Sequence, residues 1–168
     1  NIMTRTRAFA VDAPMAVATG SNSPIAVETD DSDDGATGID WSSVDRVSID
    51  HPPHESAFET DSFYKIPVTA ARPIEQPYPT PDGDVVTMQK PANDLKTAAW
   101  SLNNQPFTLG HPPNGVVDDR SHVHGFVRES RYDADSERHR ASVYIPTSDT
   151  DAQQYVSDTQ AVSVGFWY

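Results

Sequence analysis

A chain of 168 residues can bury one ordinary hydrophobic core, and 25 acidic against 12 basic residues give it a formal charge of −13. That surplus runs along the whole chain, which argues against nucleic acid as a direct ligand and resembles the balance of halophilic proteins, where screening mutes carboxylate repulsion. With no cysteine there is no disulfide scaffold, thiol nucleophile or thiolate metal site, and no run approaches the roughly 20 apolar residues of a membrane span.

Residues 1–57 are rich in Ser, Thr, Asp, Ala and Pro, carry the acidic knot Asp30, Asp31, Asp33 and Asp34, and show no sustained periodicity. Such a stretch cannot offset the entropy of ordering itself unless another surface is supplied. It is expected as an acidic N-terminal arm, either disordered or extended with its backbone paired to a partner. Short apolar islands at Ala8 to Val11, Met15 to Ala18 and Ile25 to Val27 interrupt it.

Residues 58–168 read as the folded domain. Phe63 to Val68 is a predicted strand, ended by Pro67 and a turn region from Ala70 to Pro73. Pro77, Pro79 and Pro81 punctuate the next stretch, and Asp82-Gly83 makes a hairpin turn before Val85, Val86 and Met88. Pro91 to Leu102 has the clearest helical pattern: Pro91 suits a first turn, Asp94 adds early negative charge, and Leu95, Ala98, Ala99 and Leu102 recur on one face.

Pro106 to Leu109 then leads into the turn-rich His111, Pro112, Pro113, Asn114 and Gly115. His122 to Arg128 is a predicted strand that places Val123, Gly125 and Val127 on one face and His122, His124 and Phe126 on the other. A polar turn over Asp133 to Glu137 precedes a strand from Arg140 to Ile145. A short helix is predicted over Asp149 to Tyr155, with Asp149 or Asp151 as its cap. The final stretch, Ala161 to Tyr168, is a strand too apolar for a free tail, so sheet partners or a continuation past Tyr168 are expected outside the sequence.

In a cysteine-free chain a serine nucleophile needs a base, most naturally histidine. Ser163 stands out because it interrupts an apolar strand beside Gly165, although a sheet serine bonded to a neighbouring backbone group fits the same local pattern. His111 sits where an apolar strand meets a rigid Pro-Pro turn that could hold an imidazole still, or could simply carry a turn histidine. His122 and His124 share a predicted strand face and with His111 would offer three nitrogen ligands to a metal, or form a surface or structural pair. His51 and His54 flank Pro52 and Pro53 in the low-complexity region and carry little weight. His139, between Arg138 and Arg140, is expected at a solvated strand edge.

The order of features from Phe63 to Tyr168 resembles the capsid-maturation (prohead) proteases of tailed viruses, which have the herpesvirus-assemblin fold. The matching pieces are Ile66-Pro67-Val68 with Ala71-Arg72-Pro73, Lys90-Pro91-Ala92-Asn93-Asp94-Leu95, Gln105 to Pro113, His124-Gly125-Phe126-Val127, and Ala161 to Phe166. The resemblance implies a mixed, mainly β fold: an assemblin-like β-barrel with one or two short helices, preceded by the extended arm. It also implies that His111 is the catalytic base and Ser163 the nucleophile, with no cofactor and no metal. His124 is the choice for the third residue that orients the base, with Asp118, Asp119 and His122 nearer to His111 in sequence. Oxyanion donors would come from a loop around Gly125 or from residues past Tyr168.

The implied substrates are scaffold segments, the leader of the major capsid protein and the protease itself. The expected setting is the virion capsid, assembled in the host cytoplasm, with homo-oligomeric or capsid-lattice contacts and no membrane. A structural minor capsid or cementing protein with a protease-like domain is the competing expectation, and self-cleavage near Tyr168 would reconcile the two. A zinc hydrolase using His111, His122 and His124 is a third.

Overall fold

A computed structural model describes residues 15–17, 38–110, 117, 119–159 and 162–164. In chain order these form β1 (Met15–Val17), β2 (Asp45–Ser48), β3 (Ser62–Ala71), β4 (Glu75–Pro79), β5 (Val85–Gln89), α1 (Ala92–Ala98), β6 (Pro106–Thr108), β7 (Gly125–Asp133), β8 (Arg138–Pro146), α2 (Thr150–Thr159) and β9 (Val162–Val164). Seven strands make one sheet in the order β2-β3-β8-β7-β6-β1-β9, and β4 and β5 pair separately. Only the β1–β6 pairing is parallel among these ladders. The result is a mixed α/β fold, mainly strand, with two short helices and a sheet curled into a half-barrel.

Alternation along β8 explains how one sheet serves two cores. Ala141, Val143 and Ile145 face one way and join Ile66, Val68, Ala70, Val127 and Phe107 beneath Leu95 and Ala98 of α1 and Ala152 and Val156 of α2. Tyr144 faces the other way and stacks on Phe126 with ring centroids 5.0 Å apart, while Phe63 meets Phe126 edge-on at 5.2 Å. Val47, Ile49 and Phe58 cover this second cluster. Each fully buried Phe, Leu or Ile is worth about 1.5–3 kcal/mol relative to exposure, so the helix-covered face holds most of the stability.

Irregularities bend the sheet. The register slips between Thr69 and Ala71 in β3 and between Arg128 and Arg131 in β7, where Glu129 takes a left-handed φ of 57°. Extra residues of this kind kink a strand and increase its twist, and the last strand, β9, comes to lie beside β3 near the opposite end of the sheet. Gly125 permits close packing at the start of β7, because a Cβ there would collide with the Tyr144 carbonyl oxygen.

The predicted helix over 91–102 forms as α1 followed by a 3₁₀ turn, Ala99–Leu102, and buries Leu95, Ala98, Ala99 and Leu102. The Asp82-Gly83 turn joins β4 to β5, with Gly83 at φ 89°. Two expectations need correction. β3 does not end at Pro67 but continues to Ala71: Pro67 is exposed and lies beyond the pairing with β2, where β3 has a ladder on one side only and tolerates a missing N–H. The strand expected from His122 begins only at Gly125, because Arg120–His122 forms a 3₁₀ turn capped by Asp119, whose carboxylate accepts from the Ser121 N–H at 2.8 Å.

The sheet draws strands from both sides of the boundary expected at 57: β2 pairs with β3, and β1 lies between β6 and β9. Trp41 donates its indole N–H to Ser157 of α2 at 2.9 Å. Among the described residues no helix is long and apolar enough to cross a membrane.

Candidate functional site

The site is built around the short strand β6. Phe107 pairs with Gly125 of β7 on one side and with Met15 of β1 on the other. One residue further along, the His124 N–H donates to the Phe107 carbonyl at 2.8 Å. On the far side Thr108 is in register with Ala16, and Ala16 with Ser163. Thr108, Ala16 and Ser163 therefore form one row across three strands, with His124 beside its β6 end. Adjacent strands lie about 4.8 Å apart, so the Ser163 backbone is about 10 Å from that of Thr108 across β1.

The turn that leaves β6 is well defined as far as Gly110. Thr108 is buried, and its hydroxyl donates to the Gly110 carbonyl at 2.8 Å. Gly110 has φ 86°, a left-handed conformation that glycine adopts without strain, and a Cβ there would meet the Tyr155 hydroxyl of α2 at 3.5 Å. His111 is the next residue and lies outside the described residues, as does Asp118. For Ser163 the backbone position in β9 is described.

His124 itself is held from two directions. Besides its backbone bond to Phe107, its Nδ1 lies 2.7 Å from Oδ2 of Asp149, with both side chains a little over one-fifth exposed. Asp149 ends the β8–α2 connection and caps α2: its Oδ1 accepts from the Ala152 N–H at 2.9 Å, and its carbonyl accepts from the Gln153 N–H at 3.2 Å. Burial raises the Asp149 pKa, but the hydrogen bonds from His124 and from the backbone of Ala152 and Asp151, together with the charge of His124, outweigh it and hold the carboxyl below its ordinary value. An ionised carboxylate only accepts hydrogen bonds, so Nδ1 of His124 carries a proton. Its Nε2 has no hydrogen-bond partner among the described residues.

The other sequence candidates fall elsewhere. His122 is exposed in the 3₁₀ turn and His124 precedes β7, so the shared strand face expected for them does not form. Asp119 is occupied as a cap, and its hydrogen bond from the Ser121 N–H lowers its pKa. Among the described residues no group of three His, Asp or Glu side chains is arranged to hold a metal ion. His51 contacts Glu55 at 3.3 Å, and His54 bonds the Asn104 carbonyl at 2.8 Å, both on the surface.

His139 is not at a solvated edge: it is fully buried. Arg138 and Arg140 face outward, and strand alternation turns the residue between them into the core under the 3₁₀ turn. Its Nε2 lies 2.5 Å from the Ser130 hydroxyl, which in turn bonds the Ala99 carbonyl. A carbonyl can only accept, so the single hydroxyl proton goes to Ala99 and His139 donates from Nε2–H. That polarity is opposite to what base catalysis needs. Burial also pulls the His139 pKa down to about 4, keeping it neutral near pH 7.

Sequence reasoning missed two groups here. Asp149 was read only as a helix cap, since nothing local shows that its second oxygen reaches a histidine 25 positions away. Glu129 was not singled out, yet on the bulge it accepts from Lys65 at 2.9 Å, Ser142 at 2.7 Å and Tyr144 at 3.1 Å. Comparison with family models, curated proteins and solved structures returned no match for the chain.

Proposed function

We propose that this chain is a serine endopeptidase of the tailed-virus prohead-maturation type, on an assemblin-like β-barrel, with Ser163 as nucleophile and His111 as base. The observation that carries the reading is the row across the half-barrel. Ser163 sits in register with Thr108, three residues before His111, and a histidine fixed by a carboxylate stands at the β6 end of the same row. The approach of β9 to β3 supports barrel closure as the finer form of the fold.

In this mechanism His111 takes the Ser163 hydroxyl proton as the oxygen attacks a peptide carbonyl, then returns it to the leaving amine. Backbone N–H donors stabilise the tetrahedral oxyanion, and water hydrolyses the acyl-enzyme. His124 accepts a hydrogen bond from the second ring N–H of His111 and so keeps the lone pair of the base toward Ser163. Substrates are scaffold segments and the leader of the major capsid protein, processed inside an assembling capsid.

A fluorophosphonate that phosphonylates activated serines tests the reading without a known substrate. Intact mass and peptide mapping should show one adduct at Ser163, absent in Ser163→Ala and in His111→Gln, and Ser163→Ala should abolish processing of co-expressed capsid protein. An unmodified Ser163, or processing that survives Ser163→Ala, would remove the nucleophile assignment.

The hairpin of β4 and β5 favours a second reading, a minor capsid or cementing protein. It is separate from the main sheet and exposes Val85 and Val86, as a lattice contact would. Retention of the chain in mature particles after Ser163→Ala, with unprocessed capsid protein accumulating, would show that structural incorporation and proteolysis are both in use. Normal particles from that variant would favour the structural role alone.

A further inference from the structure

Among the described residues four large hydrophobic side chains are exposed, and three of them, Ile74, Val85 and Val86, lie on or beside the hairpin of β4 and β5. The hairpin is also acidic: from residue 75 to residue 89 it carries Glu75, Asp82 and Asp84, all exposed, and no basic residue. Its turn is closed by the Gly83 N–H on the Thr80 carbonyl at 3.0 Å and by the Asp84 N–H on the Thr80 hydroxyl at 3.1 Å. It shares no ladder with the seven-stranded sheet. A two-stranded ribbon alone is marginally stable in water, and successive valines put apolar surface on both faces of this one, so a covering surface would stabilise it.

A surface of opposite charge lies on the outer face of the main sheet, past the cover of Val47, Ile49 and Phe58. Residues in register share a face, and positions 138, 140, 142 and 144 alternate onto one side of β8. With their partners they gather Lys65, Arg128, Arg131, Arg138 and Arg140 on that side, five of the 12 basic residues. Arg131 and Arg140 stand directly opposite each other, a like-charge pairing that costs stability until an anion enters. The acids of the face are already engaged, Glu129 with Lys65 at 2.9 Å and Asp133 with Arg140 at 3.1 Å, while Asp135 and Glu137 stand beyond it on the β7–β8 turn. Arg128 donates to the Asn104 side-chain oxygen and Arg131 to the Glu129 carbonyl, both neutral acceptors. Exposed Pro67, in register with Ser142, adds an apolar spot in the middle of the face.

We infer that the acidic hairpin of one copy docks head-to-tail on the arginine face of a second copy of this chain, its carboxylates against Arg128 and Arg131 and its valines against Pro67. This rests on the lattice-contact reading of the hairpin, names the occupant, and does not involve Ser163. A second copy fits because the chain itself supplies the matching charge on an exposed surface. Repulsion between two chains of −13 is screened beyond about 8 Å at about 0.15 M salt, whereas facing charges in the contact lie within that distance. The two patches differ, so the contact is heterologous and can propagate.

Sedimentation of the full chain over a concentration series at about 0.15 M salt tests this. The wild-type chain should associate as concentration rises. Glu75→Arg with Asp84→Arg reverses the hairpin and leaves the Asp82-Gly83 turn intact, and Arg128→Glu with Arg131→Glu reverses the face. Each double variant should weaken association about tenfold or more, and mixing the two should restore it, because the reversed hairpin then meets a reversed face. Urea midpoints check that both variants fold. Should either reversal unfold the chain, Asp84→Asn and Arg131→Gln must each still weaken association, and wild-type association in both overturns the inference. Association untouched by the reversals, or no recovery on mixing two folded variants, overturns it as well. A wild-type chain that stays monomeric also overturns it, and retention of that chain in mature particles would leave the lattice reading standing.

Discussion

Among the described residues, two histidines that are at least partly buried meet an oxygen-bearing partner at short range, and they are set up for opposite purposes. His139 is sealed under the 3₁₀ turn, is neutral, and donates to Ser130, whose own O–H donates to the Ala99 carbonyl. His124 is partly open to solvent, donates to a carboxylate, and keeps its other nitrogen clear of the described residues. A serine beside a histidine is the more familiar catalytic signature, yet the Ser130–His139 pair has the wrong proton direction and no access. Direction of donation and exposure, rather than the identity of the pair, separate a structural contact from one that can support chemistry.

The comparison is most directly broken by truncating each ring. His139→Ala should cost about 3 kcal/mol, since it opens a cavity in the packed core, and it should be visible as a lower denaturation midpoint in urea. His124→Ala should cost under about 1 kcal/mol, in keeping with a partly exposed hydrogen bond to a carboxylate, while sharply slowing fluorophosphonate labelling of Ser163. Equal destabilisation by the two variants would erase the distinction.

Acid titration sharpens it at nearly the same magnitude. The unfolded chain protonates His139 near 6.5 and the folded chain only near about 4. The unfolded state therefore holds more protons between these values, and stability falls as pH drops from 6.5 to about 4, by on the order of 3 kcal/mol. Urea midpoints across that window measure this slope, and His139→Gln, which keeps a donor for Ser130, should flatten it. Asp149 acts in a separate window. Its folded pKa lies below the ordinary 3.8, so its contribution is complete above that value and is lost as pH falls through the folded one.

Ser130→Ala comes next, with an expected loss of about 2 kcal/mol, because it deprives two buried groups of their shared partner. Asp149→Ala should cost about 1 kcal/mol through the lost cap of α2, detectable by thermal denaturation and reduced helicity. A loss at Asp149 as large as that at Ser130 would mean that the His124 contact is part of the structural core after all.

Much of the local structure was legible. The helix over 91–102 declared itself through Leu95, Ala98, Ala99 and Leu102 because helical spacing and burial act on the same residues. The Asp82-Gly83 hairpin followed from the left-handed φ that Gly83 supplies. The extent of β3 was not legible, since Pro67 ends a central strand but not one whose second ladder has already run out. The burial of His139 was available in principle from the Arg-His-Arg alternation, which places the middle residue opposite its charged neighbours. His122 offered no such signal: a 3₁₀ turn and a strand start share the same short polar residues, and Asp119 decided between them by capping.

The sequence by itself determined the helix over 91–102, the Asp82-Gly83 turn and the strand over Arg140 to Ile145, and which residue types could carry chemistry, because periodicity, turn preferences and side-chain inventory are local properties. Only the tertiary structure decided that β9 reaches β6 through β1, that Asp149 meets His124, and that Ser130 and His139 share a proton-donor chain in the core. Those contacts join residues from separate elements, and their free energy depends on sheet order and curvature, which the packing of both faces sets at once.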